Sequence, residues 1–516
     1  MNTLVQKITK EFKEAQASMR KNELYATFPQ EALPDACRFA SGQLNSTLVS
    51  AACSEEDGKF RIDYVFSARD SDTFLVFGAD LKSNKFQSIT PFMPAANWYE
   101  REMHDMFGVV PEAHPDTRRL YLHDDMPANM HPLRKSFNAN SKPERVPGAY
   151  QFRKVEGEGV YEIPVGPVHA GIIGPGHFRF SVAGEPILAL ELRLGYTHKG
   201  VEKRFESMTA EQGVYLAERI SGDNSLSHAI AYCQAIERAA DTTIPERAAY
   251  IRTIFLELER VYYHLGDIAG IATDVGYSVG AAEANRIKEM AMRLNEETSG
   301  SRVLRGIARP GGVRIDIKQG TKDRLLEMAS HLRFESKRLG EDLLSSSSLM
   351  DRVERTGILK EEIAREMNIV GPAARASNVS RDVRRDHPYA AYGKLEFKVP
   401  MQKAGDVLAR TRVKMEELSE SCGLIERAIW SMPEGKISAE LPKIKEGTKA
   451  LGCVESPRGE LIYYVITGKD TLSRCKVRDP SQCNWIAMEY AVPGCIVPDF
   501  PLVNKSFNLS YSGNDL

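Results

Sequence analysis

Five short stretches of this chain concentrate side chains that can do chemistry. ERISGDNSLSH, residues 218–228, carries Ser221, Asp223, Asn224 and His228, and GPVHAGIIGPGH, residues 166–177, carries His169 and His177. Glu202 lies in GYTHKGVEK, Asp382 and Arg384 in SRDVRRDHP, and Ser510 in SFNLSYSGNDL. Imidazoles titrate near neutrality and hydrogen-bond polar ligands. A carboxylate behind a buried site shuttles protons once desolvation raises its pKa. The competing reading for each is structural: a hydrogen-bonded loop histidine, or a carboxylate in a salt bridge. Soft metal ligation is not offered. The cysteines Cys37, Cys53, Cys233, Cys422, Cys453, Cys475, Cys483 and Cys495 include no CxxC pair. That spacing fits neither a zinc site nor a cubane iron–sulfur cluster. They read as buried thiols in a reducing cytoplasm.

Positioning such groups takes sizeable cores, and 516 residues suffice for two or three domains. Hydrophobic residues make up 42% and charged residues 27%, the balance of a soluble globular protein. A net charge of −2 gives no global attraction to nucleic acid or acidic lipid. No run approaches the roughly 18 apolar residues of a membrane span. The N-terminus, MNTLVQKITKEFKEAQ, reads as a short amphipathic helix, which excludes a secretory signal.

The first 135 residues alternate helix with strand: GKFRIDYVFSA places Phe60, Ile62, Tyr64 and Phe66 on one face, and DTFLVFGADL follows as a second strand. Residues 136–158 are polar, with prolines and glycines, and are expected to be a linker. From 159 to 516 a β-rich entry precedes long apolar stripes over about 209–238, 278–298, 321–348 and 403–430, with a helix starting at Pro245. Strand-like runs LIYYVIT and SRCKV follow. The fold class expected is α+β: an N-terminal α/β domain, then a mainly helical domain with a β-rich entry and C-terminal strands.

Two sets of motifs carry a resemblance. WYEREMHDMFGVVPEAHPDTRRLYLHDDMPANMHPLRKSF, residues 98–137, resembles the signature of the small hydrophilic subunit of respiratory complex I. IPVGPVHAGIIGPGHFRFSVAGEPI, GYTHKGVEK, PERAAYIRTIFLELERVYYHL, RPGGV, GPAARASNVSRDVRRDHPYAAYG and ESPRGELIYYV occur in this order from residue 163 onward. They resemble both the quinone-site subunit of complex I and the large subunit of energy-converting membrane-bound [NiFe] hydrogenases, including formate hydrogenlyase. The hydrogenase side looks closer.

A [NiFe] centre takes four thiolates from two CxxC pairs, because nickel needs soft, bridging sulfur. Where the family has R-x-C-G-x-C-x-x-x-H, this chain has Arg219, Ser221, Gly222, Asn224 and His228; at the C-terminal pair it has Ser510 and Gly513. Cys233 lies about three helical turns beyond Ser221, roughly 18 Å along a helix, and does not substitute. The resemblance therefore implies no [NiFe] centre, no metal in this chain, and no extension beyond Leu516 to be removed after metal insertion. It implies instead an oxygen-lined cavity of Ser221, Asp223, Asn224 and Ser510, flanked by His169, His177 and His228.

His177 is the better match to the histidine that contacts quinone in complex I. Gly222 stands where that family has a tyrosine. Glu202 aligns with the proton-relaying glutamate of the hydrogenases, and Asp382 and Arg384 with residues kept near the site, Arg384 pairing with a carboxylate. The expected assembly is a complex I-like one on the cytoplasmic side of the inner membrane. Iron–sulfur clusters lie in a small subunit and a ferredoxin-like subunit, with antiporter-like membrane subunits beneath and no nucleic acid. Electrons pass to an acceptor other than protons at nickel, with quinone as one candidate; the other reading is a coupling subunit whose cavity only transfers protons.

Overall fold

The computed structural model describes residues 2–170 and 173–516. Gly171 and Ile172, in the GPVHAGIIGPGH motif, lie outside the described residues.

Alternation of apolar residues builds an N-terminal sheet in the order Gln16–Arg20, Glu23–Thr27, Phe74–Asp80, Lys59–Ala68, Ser46–Glu56. Its strands are antiparallel except for Glu23–Thr27 beside Phe74–Asp80, which run parallel. Helices Leu33–Gly42 and Asn97–Phe107 share one hydrophobic core with one side of this sheet, through Leu48, Tyr64, Phe66 and Phe77. Val49, Ala52, Val65, Phe74 and Val76 instead join the core of the second domain. Between Glu112 and Val160 the chain forms neither helix nor strand.

The second domain enters through three antiparallel strands, with His177–Ala183 between Val160–Val165 and Ile187–Arg193. Long helices Glu246–Asp274, Ser278–Ser299, Gln319–Ser345 and Val407–Ser431 then pack together. Pro245 is the residue just ahead of the first of these, its φ of −58° already set for helix entry. A three-stranded sheet, Lys449–Ser456, Gly459–Thr467 and Leu472–Arg478, lies between helix Ser225–Ala239 and the N-terminal sheet. The architecture is α+β, with an N-terminal sheet domain and a helical domain ending in strands.

One expectation needs correcting. The apolar run over about 209–238 is not one helix: it divides into Gln212–Ala217 and Ser225–Ala239 around a turn. The turn holds Gly222, Asp223 and Asn224, poor helix residues whose polar side chains bond locally. Apolar spacing continues across it because Ile220, inside the turn, is itself fully buried.

Candidate functional site

The turn at 218–224 is held from below. Glu259, on helix Glu246–Asp274, accepts the backbone N–H groups of Leu226 at 2.7 Å and Ser227 at 3.0 Å, and the Ser227 hydroxyl. These donors open a helix and have no partner within it. Burial pushes the Glu259 carboxyl up to about 7, against the hydrogen bonds from Ser227 and Leu226. Tyr262 donates to the Asp223 carbonyl at 2.8 Å.

The C-terminal stretch meets this turn. Ser510 caps helix Tyr511–Asp515 by accepting the Gly513 N–H at 2.9 Å, and its oxygen lies 3.0 Å from that of Ser221. Behind them His228 is fully buried, with Nδ1 2.8 Å from the Tyr463 hydroxyl and Nε2 3.1 Å from Asp479 Oδ2. Asp479 accepts the Ser481 N–H at 2.7 Å, and Ser481 Oγ accepts the Ser510 N–H at 2.9 Å. The two motifs are thus joined across their hydroxyls and through His228, and Ser512 Oγ also donates to the Ile220 carbonyl at 2.9 Å.

Arg458 completes the cluster. It sits in the hairpin loop between Ser456 and Gly459. Its Nη1 donates to Ser221 Oγ at 3.1 Å, Asp223 Oδ1 at 3.0 Å and Asn224 Oδ1 at 3.0 Å; its Nη2 donates to Asp223 Oδ2 at 2.6 Å. Nε donates to the Asn508 carbonyl at 2.7 Å, and the guanidinium lies 4.7 Å from the Tyr263 ring centre. Desolvation opposes the charge on Asp223, yet Arg458 outweighs it and brings that carboxyl down to about 2. The hairpin can sit here because Gly371, at φ +69°, leaves room for the Arg458 carbonyl where a Cβ would collide.

Above the cluster opens a cavity of about 340 Å³, lined by Ser221, Gly222, Asp223, Arg458, Lys505 and Ser510 among others. Of the residues singled out from sequence, Ser221, Asp223 and Ser510 line it, and Asn224 and His228 lie directly behind. His169 stands to one side, its ring 6.5 Å from that of Tyr511, a lining residue. Its Nδ1 is 3.2 Å from the Pro167 carbonyl. His177 opens its strand with Nδ1 3.3 Å from the Gly166 carbonyl and packs on Phe152; burial lowers its pKa.

The remaining three are elsewhere. Glu202 is buried, 2.7 Å from Arg474 and 3.6 Å from Lys476, and accepts the Val477 N–H at 2.8 Å. Burial resists its charge, but the two cations prevail and hold its pKa below the ordinary value. Arg384 grips Asp382 at 2.7 Å and Glu257 at 3.2 Å in a buried ionic cluster. Arg260 of that cluster donates to the carbonyls of Glu455 and Ser456, so the cluster braces the hairpin that presents Arg458. Arg458, Lys505 and Asn508 are site residues that sequence reasoning missed. Arg458 had a signal in the ESPRGELIYYV motif; the other two had none beyond proximity to Ser510.

The donors do not fit a nickel–iron centre. Ser221, Asn224 and Ser510 present neutral oxygens, and a guanidinium already bonds two of the three. Gly513 offers no side chain, and a Cβ there would lie 2.6 Å from Asp479 Oδ2. All eight cysteines are free thiols, and none lines the cavity. Among the described residues, no group of three or more His, Cys, Asp or Glu is placed to hold a metal ion.

Residues 274–451 and 442–515 match the family profile of the respiratory-chain NADH dehydrogenase 49 Kd subunit, and residues 26–143 that of the 30 Kd subunit. The chain is 33% identical over 507 residues to formate hydrogenlyase subunit 5 of Escherichia coli (strain K12), covering 96% of this chain and 89% of that protein. It is 33% identical over 399 residues to the C/D subunit of NADH-quinone oxidoreductase from Phocaeicola vulgatus, covering 73% and 76%. Among solved structures it resembles a chain of the membrane-bound sulfane sulfur reductase, an archaeal respiratory membrane complex, with TM-score 0.66 and 28% identity over 70% of this chain and 99% of that one. The chain therefore belongs to the family of 30 Kd and 49 Kd complex I-type subunits, fused here in one chain, with subunits of formate hydrogenlyase and of NADH-quinone oxidoreductase among its relatives.

Proposed function

We propose that this chain forms the terminal electron-acceptor site of a membrane-bound, complex I-like respiratory assembly, and that the site works without nickel and iron. The observation that carries the reading is the Arg458–Asp223 pair. It closes the cluster of Ser221, Asn224 and Ser510 and forms the floor of an open cavity of about 340 Å³, the size of a small-molecule site. Iron–sulfur clusters in partner subunits supply the electrons, and antiporter-like membrane subunits couple their passage to ion movement. The chain lies on the cytoplasmic face; no helix in the described residues is long and apolar enough to cross a membrane. The archaeal relative, a sulfane sulfur reductase by name, supports an acceptor other than protons. Quinone is the second reading, favoured by the C/D relatives.

This chain's own residues bind and orient the acceptor. Asp223, fixed by Arg458, Ser221 and the Tyr262 hydroxyl on its carbonyl, stays ionised at neutral pH and shapes the floor. Thr197, at the rim, donates its hydroxyl to Asp515 at 2.6 Å and so ties the cavity wall to the C-terminal helix. The test uses the purified assembly. Its clusters are reduced with dithionite and their reoxidation is followed spectroscopically after adding polysulfide or a short-chain quinone. Reoxidation by one of them, slowed at least about tenfold by Asp223→Ala, is the expected result. Intact reduced clusters that no acceptor reoxidises would leave the coupling role instead, and near-stoichiometric nickel would overturn the metal-free reading.

A further inference from the structure

The cavity is lined by two cations, Arg458 and Lys505, against one anion, Asp223, so one positive charge is in excess. Arg458 is consumed by Asp223; Lys505 is half-buried and acts on Asp274 only from a distance, without a close ion pair among the described residues. Two more cations approach the same rim. Arg305 lies beside Gly222, its Nη2 3.5 Å from where a Cβ of residue 222 would sit, and its Nε donates to Ser225 Oγ at 3.2 Å. Lys199 donates to the carbonyl of Ile220 at 2.9 Å, directly under the turn. Among the described residues, none of Lys199, Arg305 and Lys505 has a carboxylate within 4.0 Å, although most of the chain's buried arginines are ion-paired.

Like-signed charges around a cleft raise the local concentration of ions of the opposite sign.

We infer that this cavity binds a small anion, held by Lys505 and Arg305 above the Arg458–Asp223 floor. The chemical class is a compact inorganic anion such as an oxyanion or a polysulfide. A neutral quinone ring would leave the excess charge uncompensated. The use of the anion as electron acceptor rests on the function proposed above; its binding does not.

Calorimetric titration of the purified assembly at low ionic strength, with thiosulfate and tetrasulfide as probes and a short-chain benzoquinone as neutral control, tests this. Saturable binding of at least one anion is expected, weakened by added salt. Lys505→Met keeps the alkyl stem that packs on Gly270, and Arg305→Met keeps a stem of similar length. Each is expected to weaken binding about tenfold or more, as for loss of a charge-assisted hydrogen bond, while Lys505→Arg restores it. Unchanged melting of each variant guards against misfolding. Absence of saturable anion binding, affinities indifferent to both substitutions, or binding of the benzoquinone alone would each overturn the inference. Anion binding without cluster reoxidation would support it and sink the acceptor role.

Discussion

Arg458 makes five hydrogen bonds, two to Asp223 and one each to Ser221, Asn224 and the Asn508 carbonyl. Arg458→Met removes these bonds and is expected to cost about 2 kcal/mol in urea denaturation. The loss stays modest because Asp223 is 45% exposed and water replaces its partner. Gly513 is the second residue with no freedom. Gly513→Cys would drive its side chain toward the Asp479 carboxylate that holds His228, and is expected to destabilise by about 1–3 kcal/mol. It follows that restoring all four thiolates, with Ser221→Cys, Asn224→Cys, Ser510→Cys and Gly513→Cys together, yields a chain holding far less than one nickel per molecule by elemental analysis. The hydroxyls and amide of this cluster were legible in the sequence because they occupy spaced motif positions. Arg458 also stands in a motif, ESPRGELIYYV, but its role was hidden: only the fold of the hairpin decides whether it points at solvent or at Asp223.

Glu259 connects two elements, closing the first turn of helix Ser225–Ala239 from the side of helix Glu246–Asp274. Its carboxyl, ordinarily near 4.5, is raised to about 7 by burial. With the folded value above the unfolded one, the folded state binds this proton more tightly. That stabilisation is complete below about pH 4.5 and is lost as pH rises toward 7. Glu259→Gln cannot ionise, so its stability relative to the parent chain should climb by about 1–3 kcal/mol between those two pH values, read from denaturation midpoints. An unchanged difference across that window would refute the assignment. Helices and strands themselves were readable from apolar spacing, because their buried faces are continuous. The break at 218–224 was hidden, since Ile220 keeps the apolar period while its neighbours leave the helix.

At the scale of the molecule, the boundary between the two domains is a shared interior. Asp63 of the N-terminal sheet binds Lys449 at 3.1 Å and accepts the Tyr464 hydroxyl at 3.0 Å, while Arg478 donates to the Val49 carbonyl at 2.7 Å. Glu102 is clasped by Lys476 at 2.6 Å, and His387 stacks on Phe74 at 4.1 Å. The full chain is therefore expected to unfold in one calorimetric transition. Residues 1–135 alone, with Val49, Ala52, Val65, Phe74 and Val76 uncovered, are expected to be insoluble or to bind a hydrophobic dye strongly. The division into two domains was legible from motifs and composition; this joining of cores was not, because it pairs residues some 400 positions apart. That separation has a consequence on the ribosome. The sheet is complete at Asp80, but the strands that cover it begin at Lys449. At about 5–20 residues per second, its apolar side waits roughly 20–75 s for its cover to be synthesised. Within the cell, production of this chain should accordingly depend on a holding chaperone, and depletion of such a factor should trap nascent chains that end between the two segments.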